Sequence, residues 1–145
     1  MSHEHTFRSL TIDDYDQVHD LRTQTEGISL NESDSKEAIA PFLERNPGLS
    51  LVVQTTSGEI AGAVLCGHDG RRGYLHHLAV KKFERGHGLG AELVNRCLAR
   101  LSELGIRKTN IFLFADHTTG RSFCEHQRWC HRDDLLVMQR GESNC

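Results

Sequence analysis

Three glycines, an arginine and two lysines gather in Lys81-Lys82-Phe83-Glu84-Arg85-Gly86-His87-Gly88-Leu89-Gly90. A glycine-rich turn lets several backbone N–H groups converge on one point, because no Cβ blocks the approach. Where such a turn opens a helix, the helix N-terminus adds roughly half a positive charge. Together these features suit an anion, above all a phosphate or pyrophosphate.

That chemistry needs a strand ending before the turn and a helix beginning after it. Tyr74 to Val80 reads as the strand. Gly88 to Leu104 reads as the helix, with Leu89, Leu93, Val94, Cys97, Leu98, Leu101 and Leu104 at helical spacing and Gly105 as the stop. Upstream, Phe7 to Leu10 reads as a short strand. Thr11 with Asp14 resembles a capping box ahead of Ile12, Tyr15, Val18 and Leu21, which recur at helical spacing. Residues from Glu26 to Ser33 form a loop, and a second helix starts near Asp34 with Pro41 expected to kink or divide it. Leu49 to Gln54 and Ile60 to Cys66 make a hairpin around Ser57-Gly58, and Gly67 to Gly73 is a polar loop. Ile111 to Ala115 reads as a buried strand, Thr118 to His126 as a short helix, and Leu135 to Met138 as a closing strand. The order β-α-α-β-β-β-α-β-α-β predicts an α/β (α+β) fold on a mixed sheet.

The chain of 145 residues fits a single domain spanning 1–145, with 37% hydrophobic and 26% charged residues as in ordinary globular proteins. A net charge of −3 gives no bulk attraction for nucleic acid. No apolar run approaches the roughly 20 residues that span a bilayer, so no membrane partner is expected. The start, Met1-Ser2-His3-Glu4-His5, lacks the order of a signal peptide. Cys66, Cys97, Cys124, Cys130 and Cys145 are odd in number with no C-x-x-C pair, which points to a reduced, cytoplasmic protein. Cys124-x-His126 and Cys130-His131 match no structural zinc spacing, so no metal is expected.

Two phosphate sites fit the turn. Gly86, Gly88 and Ala91 meet the dinucleotide fingerprint, and Asp116 lies about where a ribose-binding acid would stand. That fold needs the motif on the first of about six strands. Here four strand candidates precede it. The second pattern is an arginine, two residues, a glycine, one residue and a glycine, filled by Arg85, Gly88 and Gly90 after Leu78-Ala79-Val80. It resembles the acyl-coenzyme A turn of the GNAT acetyltransferases, and the resemblance covers nearly the whole chain.

The resemblance implies acetyl transfer from acetyl-CoA to an amine acceptor, on a sheet whose central strands splay. Backbone N–H groups of Arg85, Gly86, His87, Gly88, Leu89 and Gly90 would bind the CoA pyrophosphate. Leu78, Ala79 and Val80 would pair with the pantetheine arm, and the Leu78 N–H would face the thioester oxygen. A lysine-like amine has a pKa near 10.4 and needs a base. Strand alternation puts Tyr74, His76 and Leu78 on one face and His77 on the other, so His76 is the leading base, with Asp69 or Glu26 as alternatives. His117 stands where the family often has a CoA-contacting Asn, and Phe123 and Trp129 match its aromatic positions in type. Three residues depart from it: Gly120 for Ala, Arg128 for a turn Gly, and Cys124 where many members place the Tyr that protonates the CoA thiolate. A thiol can give a proton or stay inert, so an acyl-CoA-binding module without catalysis is the competing reading. Glu26, Glu32 and Asp69 would favour a cationic acceptor if they line the cleft. A homodimer is left open.

Overall fold

The computed structural model describes residues 4–142; Cys145 and the first three residues of the polar start lie outside them. The chain divides into two compact units, Met1–Phe114 and Ala115–Cys145.

The first unit carries five strands, β1 (Thr6–Ser9), β2 (Leu51–Gln54), β3 (Ile60–His68), β4 (Arg72–Val80) and β5 (Lys108–Ile111), hydrogen-bonded in that order. Every neighbouring pair is antiparallel except β4–β5. One parallel pair is not the doubly wound parallel sheet that a dinucleotide fingerprint requires. Helices α1 (Tyr15–Thr23), α2 (Lys36–Arg45) and α3 (Leu89–Glu103) complete the unit.

One face of the sheet buries Val52, Ile60, Ala63, Leu65 and Ala79 with Val18 and Leu21 of α1 and Ile39 of α2. The opposite face carries α3, whose Leu93, Val94, Cys97 and Leu101 are all buried. Each such side chain contributes about 1.5–3 kcal/mol of burial. Leu104, counted on the apolar stripe of α3, is instead 57% exposed. Gly62 shows how closely α3 approaches. A Cβ there would lie 3.1 Å from the Ala79 carbonyl oxygen, 3.1 Å from Val53 Cγ1 and 3.2 Å from Leu93 Cδ1.

Local chemistry explains the element ends. Asp14 accepts the Thr11 N–H at 2.9 Å, doing the reciprocal half of the capping box in place of Glu, and it also receives both ends of the Arg8 guanidinium. Ser35 caps α2 by accepting from the Ala38 N–H at 3.2 Å. Pro41 does not divide α2, which is one helix from Lys36 to Arg45. Its missing N–H removes the helical partner of the Glu37 carbonyl, and both residues are exposed, so that carbonyl is open to solvent.

Four expectations about strands are corrected. The polar loop Gly67–Gly73 is largely strand: β3 runs to His68 and β4 starts at Arg72, leaving Asp69-Gly70-Arg71 as the turn. The strand expected at Ile111–Ala115 sits earlier, because β4 pairs β5 only from Arg72↔Lys108 to Leu75↔Ile111. Beyond that point β5 ends, and Phe112 and Phe114 are 58% and 53% exposed. Third, β4 does not alternate throughout. His76 pairs with Leu65 and Ala79 with Ala63, so His77 and Leu78 together oppose Val64. This β-bulge holds His77 at φ +54° and brings Ala79, not Leu78, back into phase with His76.

The second unit contains α4 (Thr118–His126), followed by residues 127–142 without regular structure. The fourth correction falls here, because Leu135–Met138 is not a strand. Its residues are 57%, 88%, 73% and 88% exposed. A strand needs a ladder partner for its backbone groups, and the described residues of this unit contain no other strand.

Candidate active site

At the end of β4 the chain turns through a short 3-10 segment, Lys82–Glu84, and enters α3. Gly86 and Gly88 have φ of +86° and +76°, a region that L side chains rarely adopt. A Cβ on either would meet no protein atom within 4 Å, so the glycines border open space. Gly88 is the N-cap of α3 and brings no side chain to its first-turn N–H groups. Those groups have no partner inside a helix and carry the positive end of the dipole. The residues therefore fit an anion such as a pyrophosphate. Arg85 lies beside them, its Nε donating to the Val80 carbonyl at 2.9 Å and its Nη1 to Glu26 at 2.7 Å. That bond ties Glu26 to the turn. His87, Leu89 and Gly90 follow in the same segment.

Along β4, Leu78, Ala79 and Val80 lie beyond the end of the β4–β5 ladder, so their β5-facing edge is not used by the sheet. His76 lies just before the bulge. Its ring is surrounded by Tyr74, Phe42 and Phe112 at centroid distances of 6.3, 6.3 and 6.4 Å. Burial lowers its pKa from the usual histidine value, His77 adds to that, and Asp34 opposes it. The ring is therefore neutral at pH 7 and able to accept a proton.

His77 does not face away from this group. The bulge turns it so that Nε2 lies 2.8 Å from Asp34 Oδ1, on the segment leading into α2. Asp69 sits at the other end of β4, where the N–H groups of Arg72 and Arg71 hold its carboxyl below the usual range. It serves the hairpin and is remote from Leu78–Val80. Asp34, Phe42, Phe112 and the buried Arg22 were not singled out from sequence. Position 22 does continue the sheet-facing spacing of Tyr15 and Val18, which is a legible signal.

In the second unit, His117 is the N-cap of α4, and its Nδ1 is buried without a hydrogen-bond partner among the described residues. Gly120 makes room for that ring: a Cβ there would lie 2.5 Å from Nδ1. Phe123 is half-buried, and Cys124 is buried, with burial and Glu125 raising its thiol pKa. Arg128 takes the left-handed position of the C-terminal turn at φ +70°, with the Trp129 N–H donating to the Cys124 carbonyl at 2.9 Å. Among the described residues no three His, Cys, Asp or Glu side chains are grouped to hold a metal ion. None of the described helices is long and apolar enough to cross a membrane.

The profile of the Acetyltransferase (GNAT) family matches residues 15–127 of this chain. The chain belongs to the GNAT acetyltransferase family. It is similar to an acetyltransferase of Yersinia enterocolitica, 31% identical over 108 residues covering 74% of this chain and 76% of that one. An acetyltransferase of Sodalis glossinidius is 29% identical over 106 residues, covering 73% and 74%. The fold is similar to that of a predicted acetyltransferase from Clostridium acetobutylicum solved with acetyl-CoA, at TM-score 0.73 and 17% identity over 94% of this chain and 96% of that one. As a GNAT protein this chain is an acetyl-CoA-dependent acetyltransferase. The β4–β5 ladder ends at Leu75↔Ile111, short of Leu78–Val80.

Proposed function

We propose that this GNAT protein is an N-acetyltransferase that moves the acetyl group of acetyl-CoA directly to a primary amine. The observation that carries the reading is the turn at 85–90, where two positive-φ glycines and a bare helix N-terminus border open space.

In this reading the backbone of Arg85, Gly86, His87, Gly88, Leu89 and Gly90 holds the pyrophosphate. Leu78, Ala79 and Val80 present their unpaired edge to the pantetheine arm. His76 removes a proton as the amine nitrogen forms its bond to the thioester carbon. The Leu78 N–H stabilises the oxyanion until the C–S bond breaks. Cys124 returns a proton to the departing thiolate, with His117 and Phe123 as further contacts for CoA. The four described cysteines are free thiols, which supports a reducing, cytoplasmic setting.

The raised thiol pKa of Cys124 favours a second reading, a CoA-binding sensor without turnover. Calorimetric titration with acetyl-CoA tests both against Gly88→Glu. A Cβ at this position meets no protein atom within 4 Å, so the variant folds at a backbone strain cost of about 1–2 kcal/mol while bringing a carboxylate to the anion site. Binding by the wild type and its loss in the variant is the expected result, and absence of binding by the wild type overturns both readings. CoA release with an amine panel then separates enzyme from sensor.

A further inference from the structure

Arg22 carries a charge that the acetyltransferase reading does not use. It lies on the sheet-facing stripe of α1, at the spacing of Tyr15 and Val18, and is 2% exposed. Its Nε and Nη2 are buried and have no hydrogen-bond partner among the described residues. A guanidinium stays cationic when buried, and an unpaired buried charge is strongly unfavourable.

The neighbouring acid does not answer this need. Asp34 attracts Arg22 electrostatically, as does Tyr15, but its carboxylate is committed elsewhere. Oδ1 lies 2.8 Å from His77 Nε2, and Oδ2 accepts the Asn31 N–H at 3.0 Å. The Tyr15 hydroxyl donates to the Asp34 main-chain oxygen at 2.6 Å. Two of the three acids that would favour a cationic acceptor are engaged, Glu26 on Arg85 and Asp69 on the hairpin turn.

The two orphan donors share one edge of the guanidinium. Nε–H and Nη2–H leave that edge side by side and parallel, the fork that matches the two oxygens of a carboxylate. Through Asp34 and His77 the cluster joins the bulge of β4, one residue past His76 and one before Leu78. Asp34 also sets the charge of the guest: beside a fixed carboxylate a monoanion is tolerated better than a phosphate dianion.

We infer that the unpartnered edge of Arg22 receives the carboxylate of the acceptor, which makes the acceptor a small amino carboxylate. This rests on the acetyltransferase reading above and adds the class of substrate.

The test pairs each free L-amino acid with its α-carboxamide, and N-acetylglycine with N-acetylglycinamide. Wild type, Arg22→Met and Arg22→Lys are compared for rate of CoA release, for Tm with each probe, and for acetyl-CoA affinity by calorimetry. Met removes an unpaired buried charge and so keeps the fold; Lys keeps the charge and loses the fork. The expected result is a preference for acid over amide of at least about tenfold in kcat/KM. N-acetylglycine raises Tm and its amide does not. Both effects vanish in Arg22→Met and weaken in Arg22→Lys, while acetyl-CoA affinity is unchanged. Equal response to acid and amide in the wild type, or a preference that survives Arg22→Met, overturns the inference; an edge closed by water gives that outcome. Failure of acetyl-CoA to bind sinks the acetyltransferase reading instead. The Tm comparison needs no acetyl-CoA and still decides the carboxylate question.

Discussion

His77 Nε2 lies 2.8 Å from Asp34 Oδ1, and this contact joins a strand residue at φ +54° to the segment that caps α2. A non-glycine residue at positive φ stores strain, so something must hold it. Asp34→Ala removes the partner of His77 and the acceptor of the Asn31 N–H, and leaves Arg22 without its nearest acid. Urea denaturation is expected to show a loss of about 2–4 kcal/mol. A change below about 0.5 kcal/mol, the range of ordinary surface substitutions, would mean that the backbone alone fixes the bulge.

In the proposed mechanism His76, as the base, sets the acid limb of the pH profile. Its pKa is lowered by burial, so the neutral form is present at pH 7 and the rate falls as pH drops below the ordinary histidine value. His76→Ala is expected to lower kcat/KM by about 10²–10³ at pH 7 and to abolish that limb. The same shift acts on stability. The unfolded chain takes up the proton first, so this contribution is present above the unfolded pKa and is lost as pH falls below it. A variant that retained the limb would move the base elsewhere.

Gly120→Ala sets helix propensity against space. Alanine gains about 1 kcal/mol over glycine inside a helix. Its Cβ would lie 2.5 Å from His117 Nδ1, so the ring must move. The expected outcome is weaker acetyl-CoA binding by calorimetry with little gain in Tm. Unchanged affinity would remove His117 from the CoA contacts.

Arg128→Gly is expected to stabilise the fold by about 1 kcal/mol, because glycine reaches φ +70° without the Cβ penalty. Thermal unfolding reads this directly as a rise in Tm. A fall would show that the Arg128 side chain offsets its own strain.

The turn at 85–90 was legible because glycine types carry a backbone requirement in their identity, and α3 because its apolar spacing is long and regular. Three things were not. The bulge at His77–Leu78 is not announced by residue type, since histidine does not advertise a left-handed backbone. Arg22 continues the spacing of Tyr15 and Val18, but in the last turn of α1 a basic residue ordinarily reads as a charge meeting the helix dipole, and its type masks that spacing. Leu135–Met138 has β-prone letters, but a strand is defined by its ladder partner, and sequence does not name one.

Gly62 ties the interior to the chemistry in a way that a burial map hides. It lies among core side chains, yet one of the two nearest atoms that a larger residue would push, level with Val53 Cγ1 at 3.1 Å, is the carbonyl oxygen of Ala79, on the segment proposed to pair with the pantetheine arm. A saturation scan selecting on enzyme activity would therefore rank position 62 with the functional loci, while a scan selecting on abundance would show it as a milder defect. An inherited variant there would be misfiled as a folding lesion.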